Sequence, residues 1–210
     1  MRTGPFERWA VTGWIAVLTG VATFAGFALH GFSEEGVRSV VRSSAQIAVV
    51  TFSLAFAASS LRRVWASDLS AWLLRSRRHV GVGFGIAHVV HLGALVTLGV
   101  AFPDPFVSEL DALTIGGGGL AYLLLAAMMA TSFDRPAAWL GRKRWKRLHT
   151  VGSYWLWVIF LQSYVGRVVF LGGFFHLLFA LLLVGVFGLR MWARFSSRSG
   201  AAAQAQASTG

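Results

Sequence analysis

The chain has 210 residues, 56% of them hydrophobic and only 13% charged, yet its formal net charge is +11. A soluble domain carries about 25% charged residues, so in water most of this chain's surface would be apolar, which excludes a soluble nucleic-acid binder despite the basic balance. The absence of cysteine excludes a disulfide scaffold, a thiol nucleophile and thiolate-held zinc or iron–sulfur clusters. Six histidines remain for metal or redox chemistry.

Six intervals contain no Asp, Glu, Lys or Arg: 9–33, 43–61, 79–103, 112–133, 148–166 and 168–189. A helix needs about 20 mostly apolar residues to cross a hydrocarbon core of about 30 Å, so the pattern predicts an all-α, polytopic membrane protein with a six-helix transmembrane bundle. The first interval holds 25 uncharged residues ending in Leu29-His30-Gly31-Phe32. A cleaved signal has an apolar stretch of about 7–15 residues and a small-residue cleavage site, so this segment reads as a retained helix. Between the second and third spans, Val64–Leu74 is too short and mixed to cross and is expected in the interface, with Trp65 and Trp72 at headgroup depth. Trp139 and Trp145, before the fifth span, are expected to behave alike. Spans five and six are separated only by Arg167, so their turn must be tight, and Gly166, Gly172 and Gly173 suit it.

Orientation follows from the loops. With the N-terminus inside, 16 of the 19 Lys and Arg fall in inner segments and only Arg38, Arg42 and Arg167 outside, which by the positive-inside rule places both termini in the cytoplasm. The positive charge is then a topology signal and an attraction to the anionic leaflet; the lipid bilayer is the first partner and nucleic acid is not one. The organisation is a cytoplasmic N-terminus over 1–8, a six-helix domain over 9–192 and a cytoplasmic tail over 193–210. The run after Ser199 is low in complexity and is expected to be disordered.

His30 sits at the outer end of span one. His79, His88 and His91 lie on span three, His149 opens span five, and His176 lies on span six. Ionisable residues within spans usually face the bundle interior, where they bind ions, relay protons or hold a cofactor. Histidines also join helices through hydrogen bonds to hydroxyls and carbonyls, but several of them with no Asp or Glu inside the spans favour a cofactor. His88 and His91, three residues apart, share a helix face. Two histidines could chelate a metal ion, although carboxylate and thiol partners are missing. Haem needs only one imidazole from each side of the macrocycle. Gly81, Gly83 and Gly85 leave a smooth surface for a flat macrocycle or for a neighbouring helix.

Arg77-Arg78-His79-Val80-Gly81 followed by His91 resembles the R-R-x-L-G … L-H pattern of the ferric reductase-like transmembrane domain, in particular the haem-binding membrane subunit of the periplasmic methionine sulfoxide reductase system. Trp145-Lys146-Arg147-Leu148-His149 followed by Tyr154 resembles the W-x-R-L-H … Y opening of that family's fifth helix. The resemblance spans residues 9–192 and implies a bundle holding haem b that passes electrons across the membrane; with the departure at Gln162, one haem is expected rather than two. By motif, His91 and His149 carry over as axial ligands of the haem iron. The chain departs from the family at Gln162, thirteen residues after His149, where a second histidine is common.

Depth complicates the pairing. At about 1.5 Å per residue, His91 lies about 20 Å beyond Arg78 and His149 only about 3 Å beyond Arg147. Three alternative pairs stay open: His88 with His149, His79 with His149, and His91 with His176. No Gly-rich dinucleotide fingerprint is present, so reducing equivalents must come from a cytoplasmic flavoreductase or from quinol, and a flavin or quinone is expected only through a partner or interface. The acceptor is expected outside, as a periplasmic reductase, in a bacterial inner membrane. The basic run Gly141–His149 could dock an acidic donor or a flavin phosphate, or simply anchor the inner face; Tyr154 and Trp155 would line the site or pack. The rival expectation is a non-redox transport or metal-binding bundle whose histidines join helices or hold an ion.

Overall fold

The computed structural model describes residues 9–104 and 112–207, without the side chains of 113 and 197–207. Glu109 and Asp111 lie outside the described residues. Among those described there are seven helices and no strand: α1 (Trp9–His30), α2 (Glu34–Val64), α3 (Asp68–Ala101), α4 (Ala112–Ala130), α5 (Asp134–Leu140), α6 (Arg142–Leu171) and α7 (Phe174–Ala207).

Five of these are long and apolar enough to cross a membrane, and the count reaches six if α4 and the short α5, which follows after a bend of 107°, form one broken span. Large apolar side chains remain exposed along them, among them Phe24 at 75%, Leu123 at 71% and Phe170 at 85%. In water such surfaces would be untenable; against acyl chains they are the natural exterior. The protein is therefore an integral, multi-pass membrane protein.

Local sequence sets the ends. Ser33 caps α2 by accepting from the Gly36 amide at 3.1 Å. Ser67 and Ser70 form a reciprocal capping box at the start of α3, which satisfies two of the amides a helix start leaves orphaned. This cap overturns the expectation of a separate interfacial segment over 64–74. Only Trp65–Ser67 form the turn, and Asp68 onwards is the first part of the 34-residue α3. Trp65 stays exposed, whereas Trp72 packs on the cluster of Val11, Ala58, Leu73 and Val80. At the other end of the bundle, the turn between the last two spans falls at Gly172 and Gly173, whose φ of 66° and 98° lie where side chains with a Cβ are strained. Gly166 and Arg167 stay inside α6. The Ala- and Gln-containing stretch expected to be disordered continues α7 as helix to Ala207, in line with the high helix propensity of alanine.

α2 and α3 pack along their length, α1 lies across both, α7 packs on α2, and α6 bridges α7 to α4, which reaches back to α3. Five helices thus enclose an aromatic core of Phe52, Phe56, Phe84, Phe160 and Tyr164, with Leu125, Leu156 and Leu183. In lipid, helices associate through close packing rather than through expulsion of water, so small residues matter at their crossings. A Cβ at Gly83 would stand 2.5 Å from Ile15 Cδ1 of α1, one at Gly85 would run into Met129 of α4, and one at Gly152 into Met128. Of Gly81, Gly83 and Gly85, the last two are therefore taken by neighbouring helices. Of these three, Gly81 alone faces open space, and it borders a cavity.

Candidate functional site: two cavities along the bundle

The aromatic core divides the interior into two cavities. The one towards the Glu34 end of α2 has a volume of about 350 Å³ and is lined by α2, α3, α4 and α6. The one at the arginine-rich end has about 870 Å³ and is lined by α2 to α7. Phe52 and Phe84 face the larger cavity and Phe160 the smaller. Their ring centroids lie 5.3 to 6.0 Å apart, a single aromatic layer between the two spaces.

His88 and His91 both line the smaller cavity, as their spacing on one helix face predicts. Their rings stack at 5.3 Å with 22° between planes, and His88 stacks in turn on Tyr122 at 4.9 Å. The His91 Nδ1 lies 3.0 Å from the Val41 carbonyl and 3.3 Å from Ser44 Oγ. A carbonyl can only accept, so in the neutral ring Nδ1 carries the proton and Nε2 keeps the lone pair. Such orientation of one imidazole nitrogen by a backbone carbonyl is how proteins prepare the other as a metal ligand. His88 is 8% exposed, and its Nδ1, like the Tyr122 hydroxyl, is buried with no hydrogen-bond partner. Buried polar atoms are almost always satisfied, so these two groups on the wall of one cavity are polar contacts it can offer a ligand.

His149 is placed differently. It lines the larger cavity, stacks on Trp145 at 4.2 Å, and its Nε2 lies 3.1 Å from Thr131 Oγ1. That hydroxyl gives its proton to the Ala127 carbonyl at 2.8 Å, so it accepts from His149, and Nε2 is the protonated nitrogen. Trp145 also donates from Nε1 to the Thr131 carbonyl at 2.9 Å, holding the bend after α4. Trp139 is 87% exposed. His176 donates from Nδ1 to the Gly172 carbonyl at 2.7 Å and lines neither cavity. His79 lines neither cavity and meets Trp9 edge to face at 4.9 Å.

None of the pairs weighed from the sequence is brought to one cavity. His91 and His149 stand on opposite sides of the aromatic layer, as the depth arithmetic requires; His88 stays with His91, and His79 and His176 lie apart from both. Facing His88 and His91 across the smaller cavity are Gln162, Ser163, Tyr164 and Arg167 of α6. The position that departs from the family pattern thus lies opposite His91. Among the described residues no three His, Asp or Glu side chains converge as a metal group.

Three participants escaped the sequence reading. Arg167 was taken as a turn residue, but α6 runs on to Leu171 and carries it along the cavity mouth. The other two cations at that end are neutralised, Arg38 by Glu34 at 2.7 Å and Arg42 by Glu35 at 2.5 Å. Tyr122, within an uncharged span, gave no signal. Arg190 was counted as a loop charge; it packs over Phe56 at 4.1 Å and donates to the Phe56 carbonyl at 2.5 Å. The basic run before the fifth span is likewise no loop. It is the first two turns of α6, with Arg142, Lys146 and His149 on the cavity face.

Tyr154 and Trp155 pack rather than line either cavity, Tyr154 against Phe56 and Trp155 with its Nε1 donating to the Gly117 carbonyl at 3.1 Å. Comparison with protein-family models, curated proteins and solved structures finds no match for this chain.

Proposed function

We propose that the protein is a membrane electron-transfer subunit that would hold one haem b in the smaller cavity, with the His91 imidazole as the residue that would bind the iron. The observation that carries this reading is the His91 imidazole, tied through Nδ1 to Val41 so that Nε2 is left as the donor on a cavity wall. The residues present suit the group. The lining is mostly apolar and aromatic, the orphaned His88 Nδ1 and Tyr122 hydroxyl offer polar contacts, and Arg167 at the mouth is a cation suited to a propionate. Haem would supply reversible one-electron chemistry there.

The chain's own residues do the rest. Val41 and Ser44 hold the His91 ring in one tautomer. Phe52, Phe84 and Phe160 close the space between the cavities, which keeps water and protons from a continuous path through the bundle while leaving only a short gap between its halves. The cations of α3, α6 and α7 give the arginine-rich end a field that attracts an acidic or phosphorylated donor. Under the charge rule this end is cytoplasmic, so electrons enter from a flavin or quinol donor there and leave at the far end to an outer acceptor, a partner reductase in a bacterial inner membrane.

His149 has a lesser part in this account. Its Nε2 is engaged by Thr131 and its ring by Trp145, and the rival non-redox reading, in which histidines join helices, describes His149 and His176 well. It leaves His88 and Tyr122 unexplained. The purified protein, oxidised and then reduced with dithionite, is expected to show a Soret band that shifts on reduction; no such band after haem supplementation would defeat the proposal.

A further inference from the structure

The larger cavity has a chemistry of its own, independent of haem. Eight Arg and Lys side chains from α2, α3, α6 and α7 line it, against a single carboxylate, Asp134. That carboxylate is already engaged by Arg78 at 2.7 Å. So many like charges around one space repel one another unless an anion sits among them. The opposite wall is apolar, built from Phe52, Phe56, Phe84, Leu125, Met128 and Met129. The cavity thus has a cationic rim at the helix ends and an apolar ceiling towards the middle of the bundle.

Its uncharged polar groups are few and mostly committed. The hydroxyls of Thr131, Ser132 and Ser153 donate to the carbonyls of Ala127, Met128 and Thr150 at 2.8, 2.8 and 3.1 Å. Little is left to read the edge of a heterocyclic ring, which requires directed donors and acceptors. What the lining can recognise is negative charge joined to an apolar body.

We propose that this cavity binds an anionic phospholipid, its phosphate among the arginines and its glycerol and upper acyl chains against the Phe52–Phe84 ceiling. Basic pockets between transmembrane helices on the cytoplasmic side take such headgroups, and the loop charges place this end there. The three cations that test the idea without loosening the bundle are Arg75, Arg142 and Lys146, whose side chains lie exposed on the rim. Arg190 is unsuitable, because it ties α7 to the Phe56 carbonyl of α2.

The experiment is native mass spectrometry and thermal unfolding of the full chain in dodecyl maltoside, titrated separately with phosphatidylglycerol, phosphatidylcholine, inorganic phosphate and flavin mononucleotide. Phosphatidylglycerol is expected to bind and to raise the unfolding midpoint, with phosphatidylcholine and inorganic phosphate having little effect. The triple variant Arg75→Gln, Arg142→Gln, Lys146→Gln should unfold near the parent midpoint without lipid and bind phosphatidylglycerol on the order of a hundredfold more weakly, at about fivefold per cation. Equal stabilisation by phosphatidylcholine, or unchanged phosphatidylglycerol affinity in the variant, would overturn the proposal. So would tighter binding of flavin mononucleotide or inorganic phosphate, which would assign the cavity to a soluble phosphate. Because no arm requires haem, these outcomes stand apart from those that test the electron-transfer reading.

Discussion

His91 reaches from α3 to the Val41 carbonyl of α2 at 3.0 Å, and this one bond decides which imidazole nitrogen is left to bind a metal. The nearby Ser44 hydroxyl is spent on the Val40 carbonyl at 2.6 Å, so it supports the ring without competing for that role. Replacing Ser44 by Ala should therefore leave haem content almost unchanged.

Coordination number follows from the same wall. His88 and His91 stack on one face of α3, so they cannot grip a macrocycle from opposite sides, and α6 offers Gln162 rather than an imidazole across from them. A single axial imidazole predicts a high-spin spectrum, and the dithionite-reduced protein should take up carbon monoxide with a shift of the Soret band. Restoring the missing group with Gln162→His should narrow the visible bands and suppress carbon monoxide binding; no spectral difference between this variant and the parent would argue against occupancy of the smaller cavity.

Arg167 is expected to matter for retention rather than for folding. It is exposed at the cavity mouth and, among the described residues, has no carboxylate partner of the kind Arg38 and Arg42 have. Arg167→Gln should lower the haem retained through purification by severalfold with little change in the unfolding midpoint. Arg42→Gln, by contrast, should leave retention as it is, since an exposed ion pair contributes about 0–1 kcal/mol.

The glycines of α3 make a clean contrast in stability. Gly83→Ala forces a methyl against Ile15 and should cost about 1–3 kcal/mol, the usual range for overpacking a tight contact. Gly93→Ala meets nothing within 4 Å and gains up to about 1 kcal/mol of helix propensity. Thermal unfolding in detergent should move the two midpoints in opposite directions.

Arg190 tests the seam between α2 and α7. Its guanidinium donates to the Phe56 carbonyl and to Tyr154 Oη at 3.4 Å, and hydrogen bonds from a charged group contribute about 1.5–3 kcal/mol. Arg190→Leu should lower the midpoint by that order, and Arg190→Lys should recover part of it.

The helices and their order were legible because charge punctuates the chain: five uncharged intervals fall in helices long and apolar enough to cross a membrane, and 112–133 falls in α4, which reaches that length only together with the bent-off α5. What the intervals could not show was where helices end. α3 begins at Asp68, ahead of Arg75, Arg77 and Arg78, because a Ser67–Ser70 cap is local chemistry that hydropathy ignores, and α6 begins at Arg142 because basic residues are good helix formers that need not be loops. For the site, helical spacing was enough to put His88 and His91 on one face and to separate His91 from His149 in depth. The partners of those histidines lie far away in sequence. Val41 and Ser44 stand 50 and 47 residues from His91, so the bond that selects its tautomer becomes visible only once α2 and α3 pack.

The central claim is tested most directly by absorption spectra of four purified proteins, the parent and the single variants His88→Ala, His91→Ala and His149→Ala, each supplemented with haem during expression. The Soret band should be lost in His91→Ala, weakened or shifted in His88→Ala, and retained in His149→Ala. A His91→Ala spectrum identical to the parent, with the band lost in His149→Ala instead, would move the haem to the arginine-lined cavity and contradict the account.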